Sequence, residues 1–105
     1  MGLFSMLFGG GKRNSEIAEA IKTGAFLVDV RTPGEYSGGS VKGAVNIPLN
    51  TVQGQLSKFK GKKSIVVFCA SGMRSGQAKR ILENNGIQNV YNGGPWFKVN
   101  KIVNS

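Results

Sequence analysis

The chain has 105 residues, 40% of them hydrophobic and 18% charged, which is enough for one packed domain and too few for two. It carries 14 Lys and Arg against 5 Asp and Glu, a net charge of +9, and no histidine. The missing histidine excludes Cys-His and Ser-His-Asp chemistry and most catalytic zinc sites. The single cysteine excludes an internal disulfide and fits a reducing compartment.

Residues 1–13 read as an apolar, glycine-rich tip and linker ahead of a domain over 14–105. Leu3, Phe4, Met6, Leu7 and Phe8 make too short a run to span a bilayer. The run also lacks the basic n-region and cleavage site of a signal peptide. Met6 stands where N-myristoylation wants Ser or Thr. We read the tip as a cap or frayed end rather than an interfacial anchor with Lys12 and Arg13, and Gly9-Gly10-Gly11 as a flexible joint. Asn14 or Ser15 is placed to cap a helix to about Thr23, with Ile17, Ala20 and Ile21 on one face. Ala25 to Val30 predict a buried strand. Asp29, the only aspartate, reads as a turn or cap residue. Thr32-Pro33-Gly34 predict a turn, with Arg31 and Glu35 four apart across it.

Ala44 to Ile47 predict a short strand. Leu49, Val52, Leu56 and Phe59 then recur at helical spacing. The densest basic cluster, Lys58, Lys60, Lys62 and Lys63, reads as a solvated loop rather than a nucleic-acid surface. Lys63 to Phe68 predict a central strand, and Ser75 to Asn85 a helix. Ile87 to Tyr91 predict a last strand, Gly93-Gly94 a turn, and Pro95-Trp96 the opening of a helix through Val103. Trp96 reads as core or rim packing. Alternating strands and helices predict an α/β fold: a central parallel β-sheet with helices on both faces.

The chemistry concentrates at the end of the central strand. Ile65-Val66-Val67-Phe68 is a continuous apolar run, as in a strand buried on both faces. Cys69 follows it, then a short loop, then a helix N-terminus. The first amides of a helix lack intrahelical partners and favour an anion. A thiol there is pushed toward thiolate by those amides and by Arg74. An α/β sheet also places its ligand crevice at such strand ends.

The segment Cys69-Ala70-Ser71-Gly72-Met73-Arg74-Ser75 resembles the active-site loop of the single-domain rhodaneses, the thiosulfate sulfurtransferases. Three further stretches resemble the family in its own order. They are Asp29-Val30-Arg31-Thr32-Pro33-Gly34-Glu35-Tyr36, Gly39-Ser40-Val41-Lys42-Gly43-Ala44-Val45-Asn46-Ile47-Pro48, and Val90-Tyr91-Asn92-Gly93-Gly94. The resemblance covers about Ser15 to Val103. It implies a single rhodanese-like domain in which Cys69 is the nucleophile and carries a persulfide. On the same resemblance, Arg74 and the loop residues Ala70, Ser71, Gly72, Met73 and Ser75 are expected to bind the anionic donor. The expected donor is thiosulfate or a protein persulfide, and the expected acceptor cyanide or a thiol. The resemblance also implies that Arg31 and Glu35 form a mainly structural pair. No metal and no organic cofactor is expected, nor a specific nucleic acid or a transmembrane segment. A monomer or weak homodimer in the cytoplasm is expected. Ser40 departs from the pattern, standing where the family usually has histidine.

Two alternatives belong to other classes. Cysteine phosphatases and arsenate reductases use Cys-x5-Arg, whereas Cys69 to Arg74 is Cys-x4-Arg. The tighter bowl suits a single sulfur, and phosphatase chemistry also needs a general acid. A binding or regulatory module with the same fold has no need of the cysteine and arginine that are both present here.

Overall fold

The computed structural model describes residues 10–105, with side chains from Asn14 onward. The first helix, α1 (Gly10–Lys22), leads to strand β1 (Phe26–Asp29), a short helix α2 (Pro33–Ser37) and the two-residue strand β2 (Val45–Asn46). Helix α3 (Leu49–Val52) continues as a 3₁₀ helix over Gln53–Phe59, and strand β3 (Ile65–Cys69) follows. Helix α4 (Met73–Asn84), strand β4 (Val90–Pro95) and helix α5 (Trp96–Val103) complete the chain. The strands form one sheet in the order β2-β1-β3-β4, and every neighbouring pair is parallel.

The sheet's centre is β3, whose five residues are all buried. Successive side chains of a strand point to opposite faces, and β3 shows this directly. Ile65, Val67 and Cys69 join one core cluster with Phe59, Ala78 and Leu82. Val66 and Phe68 join another with Ile17, Ala20 and Val99. Cys69 therefore points toward the side of the sheet covered by α4. Phe59, the aromatic residue among the lysines of the basic loop, is 1% exposed, so it is core and not a stacking platform.

Several boundaries differ from the sequence reading. Helix α1 begins at Gly10, so Gly10 and Gly11 are helical where a flexible joint is predicted; the apolar tip before them lies outside the described residues. Thr32-Pro33-Gly34 opens a helix and not merely a turn. Thr32 caps it, and the Thr32 and Glu35 side chains each bond the other's backbone amide in a capping box. The helix expected over Leu49 to Phe59 is α-helical only to Val52; Gln55, at φ −128°, breaks the helical geometry within the 3₁₀ stretch. The late strand starts at Val90 rather than Ile87 and runs through Gly93-Gly94 to Pro95, where a turn is predicted. Its register against β3 slips between Val67 and Phe68, the latter facing Gly94, which leaves Gly93 as the extra residue of a bulge. Glycine is required there: a Cβ on Gly93 would stand 2.6 Å from Val99 and 2.9 Å from Val66.

Candidate active site

The parallel strands β1 and β3 end side by side, with Asp29 opposite Phe68, and polar side chains gather at both ends. The loop after β3 is very short. Gly72 immediately precedes α4 and adopts φ +102°, a left-handed conformation open to glycine at little cost. Its Cα face lies against Gly94, which a Cβ would approach to 3.3 Å. No side-chain oxygen caps α4. The Cys69 sulfur takes that place. The Gly72 amide donates to Sγ at 2.9 Å, and the amide of Ser75, third residue of the helix, donates at 3.4 Å. The Ser75 hydroxyl also lies 3.4 Å from Sγ.

Cys69 and Ser75 are both fully buried. Burial is the largest influence on the thiol and resists ionisation. The Ser75 hydroxyl and the backbone hydrogen bonds of Ser75, Gly72 and Ser71 outweigh it, and the Cys69 thiol is held below its ordinary value. The predicted cradle of amides thus gathers at the sulfur through Gly72, Ser75 and, more weakly, Ser71. Ala70 and Met73 make no hydrogen bond to it. Their place is the rim, where Met73 is 75% exposed.

Arg74 is the second residue of α4. A cation is disfavoured by the helix dipole at that end, and Glu35 offsets it. Two parallel hydrogen bonds join them, Nη1 to Oε1 at 2.7 Å and Nη2 to Oε2 at 3.1 Å. Oε1 also accepts from the Thr32 amide at 3.0 Å. The capping box of α2 therefore aims the Glu35 carboxylate at Arg74. The Arg74 hydrogen bond, followed by the Thr32 amide, lowers the Glu35 pKa from 4.5 to about 2. The guanidinium remains about one-third exposed, and it lies close enough to interact electrostatically with Cys69 and Asp29.

This corrects the pair read from the sequence. Arg31 does not pair with Glu35; it turns inward to Asp29. Its Nε lies 3.0 Å from both Asp29 oxygens, and its Nη2 bonds Oδ2 and the Gly39 carbonyl, each at 2.7 Å. Asp29 is likewise more than a turn residue. It is fully buried, and it accepts from the Arg31 amide at 2.9 Å and from Ser40 Oγ at 2.7 Å. Ser40 thus braces Asp29. The Trp96 ring covers Arg31, with 5.0 Å from the guanidinium carbon to the ring centroid. Two residues named in the sequence reading have contacts at the site that it did not foresee. Glu35 holds Arg74 across 39 positions of sequence, which spacing cannot show. Asn92 contacts both Ser75 and Gly72 and was hidden by the turn predicted beside it.

Residues 13–94 match the Rhodanese family, described as a rhodanese-like domain. The chain belongs to this family. It is 41% identical over 69 residues to the thiosulfate sulfurtransferase PspE of Escherichia coli (strain K12), covering 64% of this chain and 66% of that protein. It is 38% identical over 74 residues to the uncharacterized protein YqhL of Bacillus subtilis (strain 168), covering 70% of this chain and 59% of that protein. A solved structure of a rhodanese with anions from E. coli matches with a TM-score of 0.65 at 37% identity, covering 70% of this chain and 89% of that one. The chain therefore spans between 59% and 66% of the length of these two curated relatives.

Proposed function

We propose that the protein is a sulfurtransferase that moves a sulfane sulfur from thiosulfate or a protein persulfide to cyanide or a thiol through a Cys69 persulfide. The observation that carries this reading is the sulfur itself, ringed by the Gly72 and Ser75 amides and the Ser75 hydroxyl at 2.9–3.4 Å. Every one of these groups can donate to a thiolate, and together they stabilise it against burial. The Cys69 thiolate attacks the outer sulfur of thiosulfate. The bond from that sulfur to the sulfonate breaks, and sulfite leaves with the electron pair. Cys69 is left as Sγ–S⁻, with the negative charge on the outer sulfur. Cyanide or a thiolate then attacks the outer sulfur and returns Cys69 to thiolate.

Arg74, partly exposed and within electrostatic reach of Cys69, suits the incoming thiosulfate and the departing sulfite, since a guanidinium binds such oxyanions in a bidentate manner. Access favours sulfur over phosphorus. Sγ is covered by the loop, and a sulfane sulfur is a one-atom tip, whereas a phosphate ester brings three oxygens and a leaving group. The test is intact-mass analysis of the reduced protein with thiosulfate. A gain of one sulfur atom, reversed by cyanide and absent in Cys69→Ser, is expected. An unchanged mass with the thiol free and reduced overturns the reading.

A further inference from the structure

Asn92 lies on β4, and three hydrogen bonds join it to the active-site region. Its Nδ2 donates to the Gly72 carbonyl at 3.1 Å. Its Oδ1 accepts from the Gly94 amide at 2.9 Å and from the Ser75 hydroxyl at 2.7 Å. The same Ser75 oxygen stands 3.4 Å from Cys69 Sγ. A serine hydroxyl has one proton, so Ser75 can donate to Asn92 or to the sulfur, but not to both. While Cys69 is a thiol, its S–H can donate to Ser75 and Ser75 to Asn92. Once Cys69 is a thiolate it has no proton to offer, and the Ser75 hydroxyl has an anion to turn toward. Asn92 Oδ1 keeps the Gly94 amide in either case, so the turn leaves no buried acceptor unpaired.

We propose that Asn92 is a positioning residue that sets how readily Cys69 ionises and takes up sulfur, by competing with the sulfur for the Ser75 hydroxyl proton. The part concerning uptake rests on the sulfur-transfer reading. In the persulfide the inner sulfur is neutral, because its charge has moved to the outer sulfur. The Ser75 proton then returns to Asn92. Asn92 thus favours the thiol and the loaded form over the bare thiolate, and leaves that thiolate less quenched for attack. Other charges near the sulfur are separate from this relay. Arg74 of α4 is tied to Glu35 of α2, and Asp29 at the end of β1 is closed on Arg31. Lys98 of α5 lines a cleft on the loop's flank with Gly72, Met73 and Asn92.

The chain has a single cysteine, so ultraviolet thiolate absorbance, taken as the difference from Cys69→Ser to remove the two tyrosines, reports on Cys69 alone as pH is varied in the full-length protein. Asn92→Asp keeps the side chain's size, grips the Ser75 proton more strongly and adds a negative charge. It also gives up the donor to the Gly72 carbonyl, a loss common to the parent and Ser75→Ala backgrounds. We expect the midpoint of thiolate formation to rise by about one pH unit or more. In a Ser75→Ala background the same change should raise it by less than half as much. Asn92→Ala removes the competitor, frees the Ser75 proton for the sulfur and should lower the midpoint. Mere loosening of the loop would raise it, because the amide bonds to Sγ would weaken. Equal rises for Asn92→Asp in both backgrounds, an unchanged midpoint, or a rise in Asn92→Ala each overturn the proposal. None of these readings uses thiosulfate. A protein that shows the coupled shifts yet takes up no sulfur sinks the sulfurtransferase reading and leaves the relay standing.

Discussion

Two polar clusters stand at the ends of adjacent strands, and they are built to opposite plans. At the end of β1 the charges are closed on each other: Asp29 is fully buried, Arg31 is 5% exposed, and Trp96 covers the guanidinium. Five hydrogen-bond contacts from Arg31 and Ser40 reach the two Asp29 oxygens. At the end of β3 the groups around the sulfur are donors, with no countercharge in contact with it among the described residues, and Arg74 is partly exposed. The first cluster has its charge neutralised internally and reads as scaffold. The second is stabilised for an anion that it does not wholly contain, which is the condition for binding or reaction. Position at a strand end is common to both; the balance of donors and acceptors separates them.

The sharpest way to break this contrast is to open the closed cluster. Asp29→Ala leaves Arg31 buried without its partner and should cost about 3–5 kcal/mol. Thermal unfolding should show a fall in Tm of more than about 10 °C. A variant melting within a few degrees of the parent would mean that Arg31 finds water and that the cluster is not closed.

Arg74→Ala acts on the open cluster. Loss of a charge-assisted contact of about 1.5–3 kcal/mol should slow loading from thiosulfate by roughly one to two orders of magnitude. Unloading to a neutral thiol should change far less, because the amides around Sγ remain. Stopped-flow measurement of both half-reactions distinguishes this from equal slowing, which would make Arg74 a brace of the loop.

Ser40→Ala is a milder change in the closed cluster. It removes one donor to Asp29 and should cost about 1 kcal/mol, read by denaturant titration, with the rate of sulfur loading unaltered. A change in loading of tenfold or more would show that the two clusters are coupled.

The smallest effect is expected at Glu35. Glu35→Gln leaves the Arg74 charge uncompensated and should speed thiosulfate loading a few-fold at low ionic strength, with the gain fading as salt is added. The acid limb carries a second signature. The folded-state pKa of Glu35 is lowered from 4.5 to about 2. Its stabilising contribution is therefore complete above about pH 4.5 and is lost as pH falls through about 2. Glu35→Gln should flatten the stability profile across that window; a profile identical to the parent's would exclude the clamp as a source of acid stability.

Much of the scaffold was legible because it follows from local pattern. The apolar run Ile65 to Phe68 marked the central strand, the helix predicted over Ser75 to Asn85 marked most of α4, and Cys69 between them marked the loop. What escaped depends on contacts distant in sequence. Arg31 and Glu35 are four residues apart, a spacing that suggests a pair. Arg31, however, precedes the Thr32 cap, while Glu35 lies inside α2, so the two side chains leave in different directions. Asn92 was missed for a related reason. Gly93-Gly94 is also turn chemistry, and only the register against β3 shows that these glycines form a bulge within a strand.

The burial of the only thiol bears on oxidation. A cysteine poised as thiolate invites sulfenic acid formation and disulfide exchange. A disulfide between two copies would need their Cα atoms within about 4.4–6.8 Å. Cys69 is the last residue of a fully buried strand and has no exposed surface, so the loop that follows it would have to be displaced in both copies before their sulfurs met. Reagents are thus sorted by girth as well as by potential. A slender oxidant such as hydrogen peroxide has an easier approach than a bulky disulfide, and overoxidation of the sulfur is a greater hazard to this fold than covalent pairing of its copies.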